Sequence, residues 1–318
     1  MITAIQLLAG LALLYYGAEF LVRGGSRIAF ALGVTPLVIG LTLIAAATSA
    51  PELVVSLAAA LSGSGGLSAG NVIGSNICNV ALILGVSALI RPIPVGRRLL
   101  KFDLPVLALA VAVFAAAGIG FGVIGRGTAL LLLAGMIGYI LRNLYCARHG
   151  GEVEVESDEV DTTRIRGIGG WLLAGTMVVG GAAMLTFGGD LLVKAAVTIS
   201  RHFGVSDAVV GLTVVAIGTS LPELATSVLA AIRGQRDIAI GNVVGSNIFN
   251  VLSIMGIAPL VRPVQMTGIG VADWAMLAVT TAALFLLALS PRGVTRRYGL
   301  ILLALYIGYT AYLVGSHT

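Results

Sequence analysis

Long apolar runs of about twenty residues recur along the whole chain, separated by short polar or Gly-containing stretches. A helix needs about that length to cross the hydrocarbon of a bilayer. Spans of a membrane barrel would alternate apolar and polar residues over about ten positions, and these runs do not alternate. The pattern predicts ten helices. Five lie near 3–22, 36–61, 68–90, 103–123 and 127–145, and five near 168–192, 207–232, 238–261, 272–290 and 298–315. The expected fold class is therefore an all-α polytopic membrane protein. The opening MITAIQLLAG lacks the basic stretch of a cleaved signal and reads as part of the first span.

Composition sharpens this picture. Hydrophobic residues make up 58% of the 318 positions and charged residues 10%, with a mean hydropathy of +1.04. Soluble domains carry about 25% charged residues, so a soluble enzyme and a disordered chain are both excluded. The 43 glycines fit close helix packing in lipid. The net charge of +5 is spread thinly between apolar runs, which reads as topology information and not as a nucleic-acid face. With the N-terminus outside, ten spans place 15 of the 19 basic residues inside, among them Arg23, Arg27, Arg91, Arg98, Arg142, Arg233 and Arg296. The positive-inside rule favours that orientation. It puts both termini outside and the acidic stretch 146–167 in the cytoplasm, where Glu152, Glu154, Glu156, Asp158, Glu159 and Asp161 read as a solvated linker. Cys78 and Cys146 form neither a metal-like nor a disulfide-like pattern.

The chain repeats itself. GLTLIAAATSAPEL at 40–53 matches GLTVVAIGTSLPEL at 211–224, and GNVIGSNICNV at 70–80 matches GNVVGSNIFNV at 241–251. Both matches have an offset of 171, and 27 of the 53 positions from 40 to 92 are identical to their mates. The register reaches upstream to Glu19 and Asp190 and downstream to Arg91-Pro92 and Arg262-Pro263. The expected organisation is a first five-helix repeat at 1–145, the linker at 146–167 and a second five-helix repeat at 168–318. Five is odd, so the second repeat must enter the bilayer the other way up. Inverted repeats of this kind are the architecture of secondary transporters, whose substrate site lies at the midplane between the halves, on broken helices.

Glu52 and Glu223 stand inside strongly apolar helices at equivalent positions. A carboxylate in hydrocarbon costs at least ~2.5 kcal/mol unless partnered, and no Lys or Arg lies in the core of a predicted span. The missing countercharge is then most simply a transported cation, with protonation as the other option. Pro51 and Pro222 precede the acids and disrupt the turn before them, freeing carbonyls around Ala45–Ser49 and Ala216–Ser220. Thr48 and Thr219 lie four residues before the acids on the same face, with Ser49 and Ser220 just off it. In the second element, Asn71, Ser75, Asn76 and Asn79 recur as Asn242, Ser246, Asn247 and Asn250. Ser75 shares a face with Asn79, and Ser246 with Asn250. Asn76 and Asn247 face another way and are expected to satisfy broken-helix carbonyls or form a second shell. All of these donors are oxygens, which Na⁺ and Ca²⁺ prefer; zinc or copper would call for His or Cys. Cys78 is matched by Phe249 and reads as core packing.

On these two duplicated segments the chain resembles the sodium/calcium exchanger (cation/calcium antiporter) superfamily, particularly its small prokaryotic members. The resemblance implies two inverted halves around a central site where Na⁺ and Ca²⁺ compete, and alternating access without bond chemistry. It implies that Thr48, Ser49, Glu52, Ser75 and Asn79 form half of the cluster, and Thr219, Ser220, Glu223, Ser246 and Asn250 the other half. The carbonyls of Ala45 and Ala216 would join them, and the first and sixth helices would gate. Some relatives carry Asp at the last position of GSNxxN in the second repeat, where Asn250 stands here; two carboxylates instead of three weaken the case for potassium cotransport. The function expected is Na⁺/Ca²⁺ antiport, usually extruding Ca²⁺, with a proton-coupled Ca²⁺ antiporter as the alternative. The chain is expected to be no enzyme and to need no cofactor, nucleic acid or obligatory protein partner. The partners expected are the ions and the lipid bilayer of a prokaryotic plasma membrane.

Overall fold

A computed structural model describes residues 2–149, 165, 167–202 and 216–317. Its helices are α1 (Ile2–Leu32), α2 (Pro36–Thr48), α3 (Ala50–Leu61), α4 (Gly65–Ile90), α5 (Leu99–Phe121) and α6 (Arg126–His149) in the first part of the chain. There follow α7 (Gly167–His202), the short turn α8 (Ala216–Gly218), α9 (Leu221–Ile232), α10 (Arg236–Val261), α11 (Val271–Leu289) and α12 (Arg296–His317). Among the described residues eight helices are long and apolar enough to cross a membrane. A ninth span is made by α2 and α3 together, which bend by 46° at their junction. The expected span 207–232 falls partly outside the described residues, leaving α9 as a shorter apolar helix. The acidic stretch expected as a linker also lies outside them, apart from its edges.

Two helices are longer than the apolar runs alone suggest. Helix α1 continues ten residues past position 22, carrying Arg23 and Arg27 on helix and not in a loop, and stops only at Gly33, whose φ of +65° a side chain rarely adopts. Helix α7 likewise runs to His202. Hydropathy marks where lipid ends, and backbone hydrogen bonding continues beyond it.

Helices α1 and α7 pack antiparallel along a seam of small residues spaced by seven. A Cβ added to Gly10 would lie 3.0 Å from the Gly188 carbonyl, one on Gly17 2.9 Å from that of Gly181, and one on Gly24 3.0 Å from that of Ala174. Such approach is open only to residues without bulk. Elsewhere both helices present Leu11, Tyr15, Phe20, Leu172, Val179 and Phe187 outward, as a lipid-facing surface requires.

The centre belongs to α4 and α10. Their most apolar stretches are 72% and 83% buried, against 11% for α12. Both carry the GNVxGSN segment, so the two helices with this polar motif are also the most enclosed of the eight. Gly241 meets the α-carbon of Gly40, and Gly245 the backbone of Leu41, at 2.6–3.1 Å from an added Cβ, which lets α10 cross α2 closely. Both central helices loosen to π turns that begin three residues past the Asn of GSN, at Asn79–Leu84 and Asn250–Ile254. Such single-turn departures leave carbonyls without their usual donors.

The loops are stitched reciprocally. The strands Val123–Ile124 (β1) and Val264–Gln265 (β2) pair antiparallel, with Ile124 opposite Val264. Ile93 pairs antiparallel with Val294, with backbone hydrogen bonds of 3.0 and 2.8 Å. Position 93 is the repeat mate of 264, and 294 lies 170 beyond 124, so each half lends the other the same stitch.

Candidate functional site

The chain breaks where the acids begin. Pro51 has no N–H, so the carbonyl of Ala47 four residues earlier loses its helical donor. The backbone leaves the helix at Ser49 (φ −83°, ψ 6°) and α3 starts with Glu52 in its first turn. The second repeat does the same at Ser220 (φ −90°, ψ 6°), with Glu223 in the first turn of α9. A helix N-terminus favours a carboxylate there. Ala45 opens the last turn of α2 and its carbonyl accepts both the Ser49 N–H (2.9 Å) and the Thr48 hydroxyl (3.2 Å). Ala216 opens the short turn α8.

Both carboxylates are completely buried, and each is served by the opposite repeat. The Ser49 hydroxyl donates to Glu223 Oε1 at 2.8 Å, and the Ser220 hydroxyl to Glu52 Oε1 at 3.3 Å. Spacing along one helix suggests that Thr48 and Ser49 belong with Glu52; the bend turns them across the interface instead. Thr48 also reaches the Asn242 carbonyl oxygen (3.1 Å) and Ser246 (3.4 Å), while Thr219 donates to Asn71 Oδ1 at 3.4 Å. Ser246 lies 3.5 Å from Glu223 Oε1.

Two pairs have a part that the motif reading left unassigned. Asn71 donates to Ser56 Oγ (2.9 Å) and to the Glu52 backbone carbonyl (3.2 Å). Asn242 donates to Ser227 Oγ (2.9 Å) and to the Glu223 carbonyl (3.4 Å). Each ties its central helix to the helix bearing the acid. The signal was present: Ser56 and Ser227 are among the identical pairs of the duplication, four residues past the acids.

At the π turns the four remaining amides join across the halves. Asn79 Nδ2 donates to Asn247 Oδ1 at 3.0 Å, and Asn250 Nδ2 to Asn76 Oδ1 at 3.2 Å. Glu52 Oε2, Glu223 Oε2, Asn79 Oδ1, Asn250 Oδ1 and Ser75 Oγ are all buried and accept no hydrogen bond. Leaving a buried acceptor unmet costs about 1–3 kcal/mol each, more for a charged one. These oxygens, including both carboxylates, are hard donors in one enclosed group, which is what a sodium or calcium ion requires. Cys78 is buried beside them among apolar residues.

A cavity borders this group at Thr219. It measures about 200 Å³ and is lined by Pro51, Val55, Asp190, Val193, Gly218 and Thr219, among others. Of the repeat mates of its lining residues, Ala18, Glu19, Val22 and Thr48 are buried, whereas Tyr15 is exposed.

Comparison with known proteins gives the family. The family described as sodium/calcium exchanger protein matches residues 2–145 and 173–315. A putative antiporter, CaxA, of Alkalimonas amylolytica is 37% identical over 99% of this chain and 100% of its own. The sodium/calcium exchanger MaX1 of Methanosarcina acetivorans is 31% identical over 96% and 97%. A solved structure of the sodium-calcium exchanger NCX_Mj soaked with Na⁺ and Sr²⁺ superposes with a TM-score of 0.80 at 34% identity, covering 98% of both chains. The chain belongs to the sodium/calcium exchanger family and is a multi-pass membrane protein.

Proposed function

We propose that this protein is a secondary antiporter that exchanges Na⁺ for Ca²⁺ by alternating access, usually extruding Ca²⁺. In this reading the halves are inverted five-helix repeats, with both termini outside and the acidic linker in the cytoplasm. The ions bind among Thr48, Ser49, Glu52, Ser75, Asn79 and their mates Thr219, Ser220, Glu223, Ser246 and Asn250, with backbone carbonyls near Ala45 and Ala216. The observation that carries the proposal is the enclosed set of carboxylate, amide and hydroxyl oxygens that accept no hydrogen bond.

Charge explains the exchange. With both acids ionised the site carries −2, which one Ca²⁺ or several Na⁺ neutralise. The two ions need the same carboxylates and so compete. An ionised site without its cation would be unpaired charge in low dielectric, so only the loaded carrier changes its access side. A cavity beside Thr219 fits this scheme, since alternating access needs one route shut while the other is open. On the charge-bias orientation the open route faces outside.

The test is ⁴⁵Ca²⁺ flux in proteoliposomes with Na⁺, K⁺ and pH gradients imposed separately. An opposed Na⁺ gradient should drive Ca²⁺ uptake, and Glu52→Gln or Glu223→Gln should reduce it at least a hundredfold. Normal transport by the double variant would remove the acids from the site. Uptake driven by a pH step without Na⁺ would replace Na⁺ by H⁺ as the coupling ion.

A further inference from the structure

We propose that Asn76 and Asn247 are positioning residues, each accepting the amide hydrogen of the other repeat's Asn250 or Asn79 and thereby turning that residue's carbonyl oxygen toward the cation. The proposal rests on the ion-site reading above and adds two residues with a defined task. An asparagine side chain is nearly symmetric in shape but opposite in chemistry at its two ends: Oδ1 can bind a cation and Nδ2 cannot. A ligand asparagine therefore needs something that fixes which end faces the ion.

The structure supplies it at both positions. Asn79 spends its Nδ2 on Asn247 at 3.0 Å, and Asn250 spends its Nδ2 on Asn76 at 3.2 Å. In both cases the Oδ1 left over is buried and accepts nothing. Rotating either amide by half a turn would bring two carbonyl oxygens together at the clasp and direct an N–H at the cation. Asn76 and Asn247 are themselves 1% and 2% exposed, so water cannot replace the lost partner. Both bonds cross between repeats, over sequence separations of 168 and 174. Each half therefore orients the ligand of the other, as the serine–carboxylate bonds also do. The limbs differ in one respect. Asn247 is anchored in turn, its Nδ2 donating to the Asn76 backbone carbonyl at 3.4 Å, whereas Asn76 Nδ2 has no partner. The Asn79 limb should be the stiffer of the two.

A double-mutant cycle on the full chain in proteoliposomes separates positioning from a merely structural role. The half-saturating Ca²⁺ concentration of Na⁺-driven uptake is measured for Asn79→Ala, Asn247→Leu and the pair. If Asn247 acts through Asn79, each single change raises it about tenfold and the pair lies within about twofold of Asn79→Ala alone. Losses that multiply, or an Asn247→Leu protein with unchanged half-saturation, would overturn the proposal. Should Asn247→Leu fail to fold, judged by gel filtration, the cycle of Asn76→Leu with Asn250→Ala carries the same two outcomes. Glu223→Gln in the same assay keeps the claims apart. A wild-type protein without Na⁺-driven uptake, or a Glu223→Gln protein with normal uptake, would defeat the ion-site reading, whereas multiplying losses alongside a normal wild type and an inactive Glu223→Gln would defeat only the clasp.

Discussion

Glu19 and Asp190 occupy the same place in the two repeats, yet their surroundings differ. Glu19 is buried and accepts both Arg233 (2.7 and 2.8 Å) and Arg23 (2.5 Å). Asp190 is exposed and meets only its neighbour one turn on, Lys194, at 2.6 Å among the contacts described. Arg23 and Lys194 are repeat mates, but the mate of Arg233 is Ser62. One side has an additional cation joining α1 to the end of α9, and on that side Glu19, Val22 and Thr48 are buried. The other lacks it, and there the cavity opens beside Thr219. The difference teaches that duplicated halves can diverge in their ion pairs through residues outside the duplicated motif, which gives them a means to favour one access side.

Breaking that bias should give the largest effect at the periphery. Cutting one partner from a fully buried ion pair costs about 3–5 kcal/mol. The Arg233 side chain keeps 32% of its exposure, so about 1.5 kcal/mol, roughly a tenfold shift in population, is the expected size. Arg233→Ala should therefore raise the half-saturating external Ca²⁺ by up to about tenfold, because less of the protein waits with the outer route open. Lys194→Ala, at an exposed pair worth at most about 1 kcal/mol, should change it less than twofold. Equal effects from Arg233→Ala and Lys194→Ala would mean that the extra cation has no part in holding one side shut.

A smaller effect should distinguish the two crossed serines. Ser49 holds Glu223 at 2.8 Å, while Ser220, next to the half-buried Thr219 on the open side, holds Glu52 at 3.3 Å. A hydrogen bond to a charged group contributes about 1.5–3 kcal/mol when well formed. Ser49→Ala should weaken Ca²⁺ half-saturation about fivefold and Ser220→Ala about twofold, measured in the same flux assay. A larger loss at Ser220 would reverse the view that the shut side holds its acid more tightly.

These contrasts explain what the sequence could and could not disclose. The acids, hydroxyls and amides were legible because each appears twice at a fixed offset in an apolar setting where polarity is costly. Helix character was legible for the same reason, as hydropathy reports lipid contact. The partners were not. Spacing along a helix tells which residues share a face, but Ser49 leaves its own face at the bend and finds Glu223, 174 positions away. The Arg233–Glu19 bond spans 214 positions and breaks the repeat's own symmetry, so neither periodicity nor duplication points to it. The extents of α1 and α7 were underestimated because their ends are polar and still helical.

Beneath the unequal ends lies a seam that is the same from either side, and it yields the smallest predicted effect. Gly10 faces Gly188 and Gly17 faces Gly181, and the repeat mates of Gly10 and Gly17 are Gly181 and Gly188. The contact thus maps onto itself when the halves are exchanged. A methyl on Gly181 would stand 2.7 Å from the Gly17 carbonyl and from the Leu21 backbone nitrogen, neither of which can swing aside as a flexible side chain could. Its neighbour Gly180 has nothing within 4 Å of the same methyl. Alanine favours helix over glycine by about 1 kcal/mol, so Gly180→Ala should melt at or slightly above the wild-type temperature. Gly181→Ala gains the same propensity but must push α1 and α7 apart, and should melt a few degrees lower in detergent. Because the seam favours neither route, Gly181→Ala should lower Tm without the shift in external half-saturation expected of Arg233→Ala. Identical melting of the two glycine variants would show that α1 and α7 do not approach this closely, and the contrast between a symmetric seam and asymmetric ends would go with it.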